Sequence, residues 1–348
     1  MNQLRLSVVI PNYNHAHFLS RAIKEVLNQG FSPYEIIIID DCSTDESVKV
    51  IENIIKENPK VNIKFLQNDQ NQGGIYSSNR GIREASGQYV YIAAADDTVS
   101  AGFFEDTMRL LAKYPQAGLC SSIVKIIYPD GNGICMPLKN PSFVECYLNP
   151  LECMRLLRKY DSWMGGNSCI YRRDVVLELG GFPSDLGAMC DTFIGMLVAL
   201  KYGTCFIPKQ LVGFRLMADS YSANFHSISN LDAELKIYSH AVNLMKTTYA
   251  DLFPLDYADS WEKRMRYRAR LSIVNQLYKH QVNVMNDIIL KKNIVDNLLF
   301  YCIRLGMHLQ MMILLFYFIL RGEPELRIVL QRFILIKARY LKERMFHF

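Results

Sequence analysis

Four short apolar runs, separated by segments of helical pattern, occupy the first hundred residues of the chain. The runs are LRLSVVI at Leu4–Ile10, EIIII at Glu35–Ile39, IKFL at Ile63–Leu66 and YVYIAA at Tyr89–Ala94. The segments between them repeat apolar residues at helical spacing. Strands that alternate with helices build βαβ units, whose sheets are parallel and covered on both faces. The pattern therefore predicts an α/β fold with a mainly parallel, Rossmann-like sheet flanked by helices.

Two of the predicted strands end at adjacent carboxylates. The second run is followed by Asp40 and Asp41, and the fourth leads to Asp96 and Asp97. In open α/β sheets, ligands bind beyond the carboxyl ends of the strands. Acids at that edge suit a divalent cation that carries a phosphorylated substrate. The alternative is that Asp96 and Asp97 cap the helix predicted to begin near Phe103.

Several function classes are disfavoured by what the sequence lacks. There is no GxGxxG and no GxxxxGK[ST], so neither a dinucleotide fingerprint nor a P-loop is present. A formal net charge of +5 over 348 residues, without a nucleic-acid-binding motif, does not favour nucleic acid as a partner. The nine cysteines show no metal-ligand spacing, and MNQLRLSVVIP contains no signal core. These features predict a cytoplasmic protein with reduced thiols.

The alternation becomes less regular after Asp97. We predict a helix at Phe103–Tyr114, a strand at Ala117–Tyr128 and an irregular stretch at Pro137–Pro150. A short strand is predicted at Cys205–Pro208, and from about Asn230 the pattern is helical throughout.

Two apolar stretches near the C-terminus carry interspersed charges. In Leu298–Leu320 the longest clean run, Met311–Leu320, is far shorter than the ~20 residues of a spanning helix. Leu326–Phe346 interleaves apolar residues with six Arg and Lys residues. That composition suits a helix lying on an anionic membrane surface. A bundle helix packed on the catalytic domain explains it as well, and both interpretations stay open.

The ordered motifs resemble those of family 2 glycosyltransferases with the GT-A fold. They are SVVIPNYN at Ser7–Asn14, IIIIDDCSTD at Ile36–Asp45, NQGG…SNRGIREASGQYV at Asn71–Val90, ADD at Ala95–Asp97, GGF at Gly180–Phe182, the acid Asp191, and FR at Phe214–Arg215. The resemblance runs from Ser7 to about Ser222. It implies inverting transfer of a sugar from a nucleotide-sugar donor, usually with Mg²⁺ or Mn²⁺.

The resemblance also implies a domain division and a set of donor-binding residues. A catalytic domain would cover residues 1–225, with a nucleotide-sugar half at 1–100 and an acceptor half at 101–225, followed by a helical region at 226–348. The donor-binding residues would be Pro11, Tyr13, Asp41, Asn71, Gly73, Asn79, Asp97 and Arg215. Tyr13 offers a ring for base stacking, and Asp41 can accept a hydrogen bond from a uracil N–H. The alternatives are that Tyr13 packs on the following helix and that Asp41 is a helix cap.

Asp96 falls where the family's metal ligand lies, and Asp191 where its catalytic base lies. Residues i and i+2 of a strand share a face, but the position two before Asp96 is Ala94, so the first acid of the usual DxD motif is missing. Asp97 can substitute for it only if the backbone turns there. The alternative role of Asp191 is to cap the helix that follows it, and Cys190 replaces the family's usual Glu.

The resemblance implies a UDP-linked donor and a glycan or lipid-linked glycan acceptor. The expected role is bacterial surface polysaccharide synthesis at the inner face of the cytoplasmic membrane. Two alternatives are a catalytically silent donor-binding or scaffold member and a nucleotidyltransferase. The latter class usually has a Gly- and Lys/Arg-rich loop after the first strand, which PNYNHAH lacks.

Overall fold

The computed structural model describes residues 4–128, 133–135, 140–216 and 230–280. The chain divides into two compact units, Met1–His226 with Ala233–Glu262 and Ser227–Asp232 with Lys263–Phe348. The domain boundary expected near residue 225 stays a prediction. The C-terminal stretches Leu298–Leu320 and Leu326–Phe346 lie outside the described residues.

One mixed sheet carries all the strands of the described residues. The strands are β1 Leu6–Asn12, β2 Glu35–Asp40, β3 Ile63–Gln67, β4 Tyr89–Ile92, β5 Thr98–Val99, β6 Leu119–Ile127, β7 Gly133–Cys135, β8 Cys146–Leu148, β9 Cys169–Arg172 and β10 Thr204–Arg215. Their order is β3-β2-β1-β4-β9-β6-β10-β5, with β7 on β6 and β8 on β10. Six of these ten strands (β1–β4, β6 and β10) run in one direction. The predicted α/β class with a mainly parallel sheet is confirmed.

The described residues also form α-helices. They are α1 Ala16–Leu27, α2 Ser47–Glu57, α3 Gly74–Glu84, α4 Phe103–Lys113, α5 Pro150–Tyr160, α6 Arg173–Glu178, α7 Cys190–Tyr202, α8 Leu231–Lys246 and α9 Leu255–His280. Single 3₁₀ turns occupy Gly166–Ser168 and Ser184–Met189. None of the helices in the described part of the chain is long and apolar enough to cross a bilayer.

The first strand continues past Ile10, where the first predicted run ends, and includes Pro11. Pro11 pairs in register with Ile39 of β2, and β1 ends at Asn12. The carbonyl of Val9 faces β4, so the nitrogen of Pro11, two residues on, faces the same side. The pairing of β4 with β1 ends at Val9 and Ile92, before it reaches Pro11. The missing N–H of the proline therefore removes no hydrogen bond of the β1–β4 pairing. The prediction that the strand halts at Ile10 was therefore wrong.

Two further boundaries differ from the sequence prediction. β10 continues beyond Pro208 to Arg215, because two register shifts, between Ile207 and Val212, absorb the irregularity. The stretch expected to be irregular contains β8, which pairs with the start of β10. The longer β10 matters for the site, since it carries Arg215 to the edge where β4 ends.

Candidate active site

The loops after β1 and β2 are joined by hydrogen bonds around the buried carboxylate of Asp40. Asn12 Nδ2 donates to Asp40 at 2.9 Å, and the backbone N–H and hydroxyl of Ser43 donate at 3.0 and 2.6 Å. Asn14, at a positive φ of 54°, accepts from the backbone N–H of Thr44 at 2.8 Å. Asp40 is therefore a structural residue that fixes the shape of both loops.

Tyr13 lies between these loops with 41% of its surface exposed. Its neighbours in the chain are held, because Pro11 and Asn12 belong to β1 and Asn14 is bonded to the β2 loop. The ring is thus presented to solvent from a fixed backbone, which suits stacking by a planar ligand. The roles of Pro11 and Tyr13 toward a base stay predictions.

Asp41 is 1% exposed and organises the loop that precedes α3. One carboxylate oxygen accepts from Asn68 Nδ2 at 2.6 Å and from the Gln72 N–H at 2.9 Å. The other accepts from the Gly73 N–H at 2.7 Å. Asn71 Oδ1 also accepts from that N–H at 3.0 Å, and Gly73 has a φ of 91° that only glycine adopts readily. Asp41, Asn71 and Gly73 are therefore brought together, and Asp41 supports the loop backbone, while the donor-binding roles of all three stay predictions.

Asn79 connects α3 to the Gly180–Phe182 turn. Its amide nitrogen donates to the Phe182 carbonyl at 2.8 Å, and its amide oxygen accepts from the Phe182 N–H at 2.8 Å. A Cβ on Gly181 would lie 2.6 Å from the same amide oxygen, so glycine is required for this approach. The structure thus shows a structural contact for Asn79, while its expected role near the donor stays a prediction.

We expect Asn79→Ala to lower the free energy of unfolding by about 2 kcal/mol, because two partly buried hydrogen bonds to the Phe182 backbone are lost. Urea unfolding followed by circular dichroism measures the change. Asn53→Ala, at an exposed position of α2, is the matched control and should stay within ~0.5 kcal/mol of the parent. Equal stability of the two variants would contradict the structural role of Asn79.

The acid pair lies in a turn and not on a strand. β4 ends at Ile92, two residues earlier than predicted, and the Asp97 N–H donates to the Ala94 carbonyl at 3.3 Å. The backbone therefore turns where a substitute for the missing acid requires it. The next two residues form β5, which pairs with β10 through Val99 and Val212. We call residues Ala94–Asp97 the acid turn.

The two acids of the turn have different surroundings. Asp97 is 6% exposed; it accepts from the Arg215 N–H at 3.0 Å and from Asn167 Nδ2 at 2.8 Å. Burial, reinforced by the neighbouring Asp96, raises the pKa of Asp97 to about 7. The side chain of Asp96 is partly exposed, and no side chain in the described ranges donates to it. Asp96 is thus the carboxylate of the pair that is available to an external ligand.

Two arginines reach the backbone of the acid turn. Arg215 Nε donates to the Asp96 carbonyl at 3.2 Å, and Arg21 Nη2 donates to the carbonyls of Asp96 and Asp97 at 3.0 and 3.2 Å. Arg215 was expected near the site, whereas Arg21 was missed. The available signal for Arg21 was the four-residue spacing of Arg21, Glu25 and Gln29.

Asp191 is the second residue of α7 and is partly buried. Burial raises the pKa of its carboxyl above the ordinary value for Asp, while the backbone N–H groups of Thr192 and Gly166 pull it back down. A partly buried carboxylate whose pKa is raised is suited to accept a proton. Asp191 accepts a hydrogen bond from the Thr192 N–H, but it lies inside α7, which begins at Cys190, so it is not the helix cap considered as the alternative.

The 3₁₀ turn at Gly166–Ser168 lies against both acidic centres. A Cβ on Gly166 would stand 2.1 Å from Asp191 Oδ2, so the turn is in van der Waals contact with that carboxylate. The next residue, Asn167, donates to Asp97, and its carbonyl accepts from the Tyr91 hydroxyl at 3.0 Å. Asp191 and the acid turn are therefore separated by one short turn of chain and belong to the same end of the sheet.

The donor set fits a divalent cation that is shared with a substrate. Within the described residues, no three His, Cys, Asp or Glu side chains stand close enough to hold a metal by themselves. Mg²⁺ commonly takes one or two carboxylates and completes its shell with phosphate oxygens and water. Asp96 supplies one such carboxylate, so the residues suit a cation that arrives with a diphosphate.

The mainly parallel sheet, with carboxylates where β2 and β4 end and a further carboxylate at the start of α7, has the architecture of the GT-A fold. The profile of the family "Glycosyl transferase family 2" matches residues 7–180 of the chain. The chain belongs to this family.

Three similar proteins illustrate the relationship. A GalNAc(5)-diNAcBac-PP-undecaprenol beta-1,3-glucosyltransferase of Campylobacter jejuni is 34% identical over 105 residues, which are 30% of this chain and 34% of that protein. The S. aureus TarS structure with UDP-GlcNAc has a TM-score of 0.59 at 18% identity, covering 81% of this chain and 77% of that one. The mannosyltransferase PcManGT of Pyrobaculum calidifontis, with GDP-Man and Mn2+, has a TM-score of 0.52 at 19% identity and the same coverages, 81% and 77%.

The extent of these matches limits what they establish. The first curated relatives are matched over 44% and 34% of their own length. The solved structures are too distant in sequence to show more than the fold. The matches therefore establish the family and the GT-A architecture.

Proposed function

We propose that the protein transfers a sugar, with inversion, from a nucleotide-sugar donor to an acceptor hydroxyl, using Mg²⁺ or Mn²⁺ and residues of the acid turn. The observation that carries this proposal is the Gly166–Ser168 turn, which touches Asp191 on one side and hydrogen-bonds Asp97 on the other. A general base that lies one short turn away from the pair Asp96–Asp97, of which Asp96 binds the cation, is the arrangement that a single displacement at an anomeric carbon requires.

The donor is bound by the loops at the edge of the parallel strands. Tyr13 stacks on the base, and Asp41 holds the Asn71–Gly73 loop beside it. Arg215 lies with its guanidinium at the Asp96 carbonyl, close to where the diphosphate meets the cation. Asp96 would hold the cation, which when bound offsets the negative charge that develops on the departing diphosphate.

Asp191 acts on the acceptor. Its carboxylate takes the hydroxyl proton while the acceptor oxygen forms a bond to the anomeric carbon. The bond between that carbon and the diphosphate oxygen breaks from the opposite face, and the nucleoside diphosphate leaves with the electron pair. The raised pKa of Asp191 makes it a stronger base than an exposed Asp.

We propose UDP as the nucleotide, and a glycan or lipid-linked glycan of a bacterial surface polysaccharide as the acceptor. The TarS structure with UDP-GlcNAc supports the first choice, and the undecaprenol-linked substrate in the name of the C. jejuni relative supports the second. A lipid-linked acceptor would bring the enzyme to the inner face of the cytoplasmic membrane.

A panel of UDP- and GDP-sugars, assayed with and without Mn²⁺, tests the proposal. We expect one UDP-sugar to raise the melting temperature in the presence of Mn²⁺ and to yield UDP when a suitable acceptor is added. Binding without any UDP release over a broad acceptor screen would identify a donor-binding protein. Pyrophosphate release from UTP and a sugar phosphate would identify a nucleotidyltransferase.

Gly166→Ala tests the geometry of the proposed base. The new Cβ would lie 2.1 Å from Asp191 Oδ2 and 2.8 Å from Asp191 Cβ, so the carboxylate has to move. We expect turnover to fall about 100-fold, the usual effect of a misplacement near 1 Å. Gly195→Ala, on the helix that carries Asp191, is the control. A Cβ at Gly195 would have its nearest neighbours at 3.6 Å, which leaves room for a methyl group. Equal turnover of both variants would remove Asp191 from the reaction.

A further inference from the structure

Helix α1 presents three polar side chains in a row toward the segment that follows β4. Arg21, Glu25 and Gln29 are spaced four residues apart and therefore lie on one face of the helix and its C-terminal extension. The buried apolar residues of α1, among them Leu19, Ile23 and Val26, occupy a different stripe. We refer to the three polar residues as the α1 clamp.

Each member of the α1 clamp binds the backbone of residues 96–104. Arg21 donates to the carbonyls of Asp96 and Asp97 at 3.0 and 3.2 Å. Glu25 Oε2 accepts from the Val99 N–H at 2.8 Å. Gln29 donates to the Ser100 carbonyl at 3.1 Å and accepts from the Phe104 N–H at 3.3 Å. All five hydrogen bonds go to main-chain atoms, so the α1 clamp fixes the backbone of residues 96–104 whatever side chains that segment carries.

The side chain of Arg21 is itself held in place. Its guanidinium lies over the ring of Phe18 at 5.2 Å, and its Nε is 3.8 Å from Glu25 Oε1. A guanidinium fixed on two sides loses little conformational freedom when it donates to a carbonyl. Arg215 approaches the same Asp96 carbonyl from β10. The peptide carbonyl of Asp96 therefore has a charged donor from each of two elements.

These contacts connect the two ends of the proposed donor site. α1 begins at Ala16, whose N–H donates to Asp45 Oδ2 at 3.1 Å in the loop after β2. The helix then runs from the loop that carries Tyr13 to the acid turn that carries Asp96. A change in the position of α1 would move the turn relative to the base-binding loop.

From these contacts we infer that Arg21 is a positioning residue: it holds the Asp96 carbonyl so that the Asp96 side chain points at the diphosphate-bound cation. The effect on cation binding rests on the proposed function. The claim that Arg21 fixes the backbone of the acid turn does not depend on it. Side chains that orient a metal ligand typically change metal affinity by about 10-fold or more when removed. Arg21 would then set how tightly the enzyme holds its cation.

Two measurements on the full chain test the inference. The first is Mn²⁺ affinity in the presence of UDP, from the electron paramagnetic resonance signal of free Mn²⁺. The second is hydrogen–deuterium exchange of residues 94–104, which needs neither metal nor donor. Arg21→Met removes the donors and keeps the apolar stem, whereas Arg21→Lys keeps a charge. Lys24→Met, exposed on the same helix, is the control.

We expect Arg21→Met to weaken Mn²⁺ binding about 10-fold and to speed exchange at the acid turn, with partial recovery in Arg21→Lys and no change in Lys24→Met. Unchanged Mn²⁺ affinity in Arg21→Met, whatever its melting temperature, would overturn the inference. If Arg21→Met does not fold, parental affinity and exchange in Arg21→Lys would overturn it as well. Failure of the proposed function gives a different pattern, because the parent would then bind no Mn²⁺ with UDP while the exchange comparison still decides whether Arg21 holds the turn.

Discussion

Asp191→Asn is expected to lower turnover by about 1,000-fold, the middle of the range for loss of a general base. The amide has nearly the shape of the carboxylate and can still accept from the Thr192 N–H, so the start of α7 is preserved. Because the amide takes up no proton, the acceptor hydroxyl has to attack without losing its proton. The measurement is steady-state release of the nucleoside diphosphate at saturating donor, together with the donor KM, which should not change.

Asp191→Asn should lower turnover without lowering the stability of the fold. The pKa of Asp191 is raised in the folded chain, so between its unfolded and folded pKa values the native state binds more protons than the unfolded state. The stability contributed by this group is present below the unfolded pKa and is lost as pH rises through the folded pKa. We therefore expect Asp191→Asn to melt at the same or a higher temperature than the parent at pH 7, and to lack the parent's loss over that acidic window.

Asp185→Asn is the control for both effects. Asp185 is an exposed acid shortly before α7, paired with His240 on the surface. Surface pairs of this kind contribute about 0–1 kcal/mol, so turnover and melting temperature should stay close to those of the parent. Parental turnover in Asp191→Asn, or a melting temperature well below that of Asp185→Asn, would contradict the assignment of Asp191 as a buried base.

Asp96→Asn is expected to reduce turnover by about 100-fold at limiting Mn²⁺ and to recover part of the activity when Mn²⁺ is raised. The carboxylate of Asp96 is partly exposed and receives no hydrogen bond from the described residues, so its loss leaves no buried group unpaired. The free energy of unfolding should therefore be nearly unchanged. A titration of activity against Mn²⁺ concentration measures the shift in the concentration that gives half-maximal rate.

Asp97→Asn separates the two acids of the turn. Asp97 accepts from the Arg215 N–H and from Asn167 Nδ2, and an amide at this position would turn its own N–H₂ group toward one of these two donors. We expect this variant to lose stability, whereas Asp96→Asn loses metal response. Asp174→Asn, at an exposed acid of α6, should do neither. The assignment of the cation to Asp96 would be wrong if Asp96→Asn kept the parental Mn²⁺ dependence.

The sequence was sufficient to predict the strands that carry the candidate site but not how the backbone of that site runs. Strand composition predicted β1 to β4 and their parallel arrangement, because burial on both faces imposes a continuous apolar run. The early end of β4 at Ile92 could not be read, since Ala93 and Ala94 suit a strand and a turn equally well. The end of β1 was placed one residue before Pro11, because whether a strand can include a proline depends on where the neighbouring strand stops.

Long-range side-chain contacts were the other limit. Arg21 and Asp96 are far apart in sequence, and the same holds for Asn79 and Phe182, so no local pattern joins them. Periodicity predicted α1 and α3 as helices, yet it assigns polar positions only to an outward face. Arg21 instead contacts the backbone of another segment, because α1 packs beside β5. This packing is defined only once the sheet is assembled.

The three protein hydrogen bonds to Asp41 restrict how the enzyme can be engineered. A substitution of Asp41 that is meant to change the accepted nucleotide would also remove the acceptor of the Gln72 and Gly73 N–H groups. The loop before α3 would then lose these hydrogen bonds. Mutant libraries aimed at a new base should therefore keep Asp41 fixed and vary Tyr13, whose exposed ring supports no neighbouring backbone.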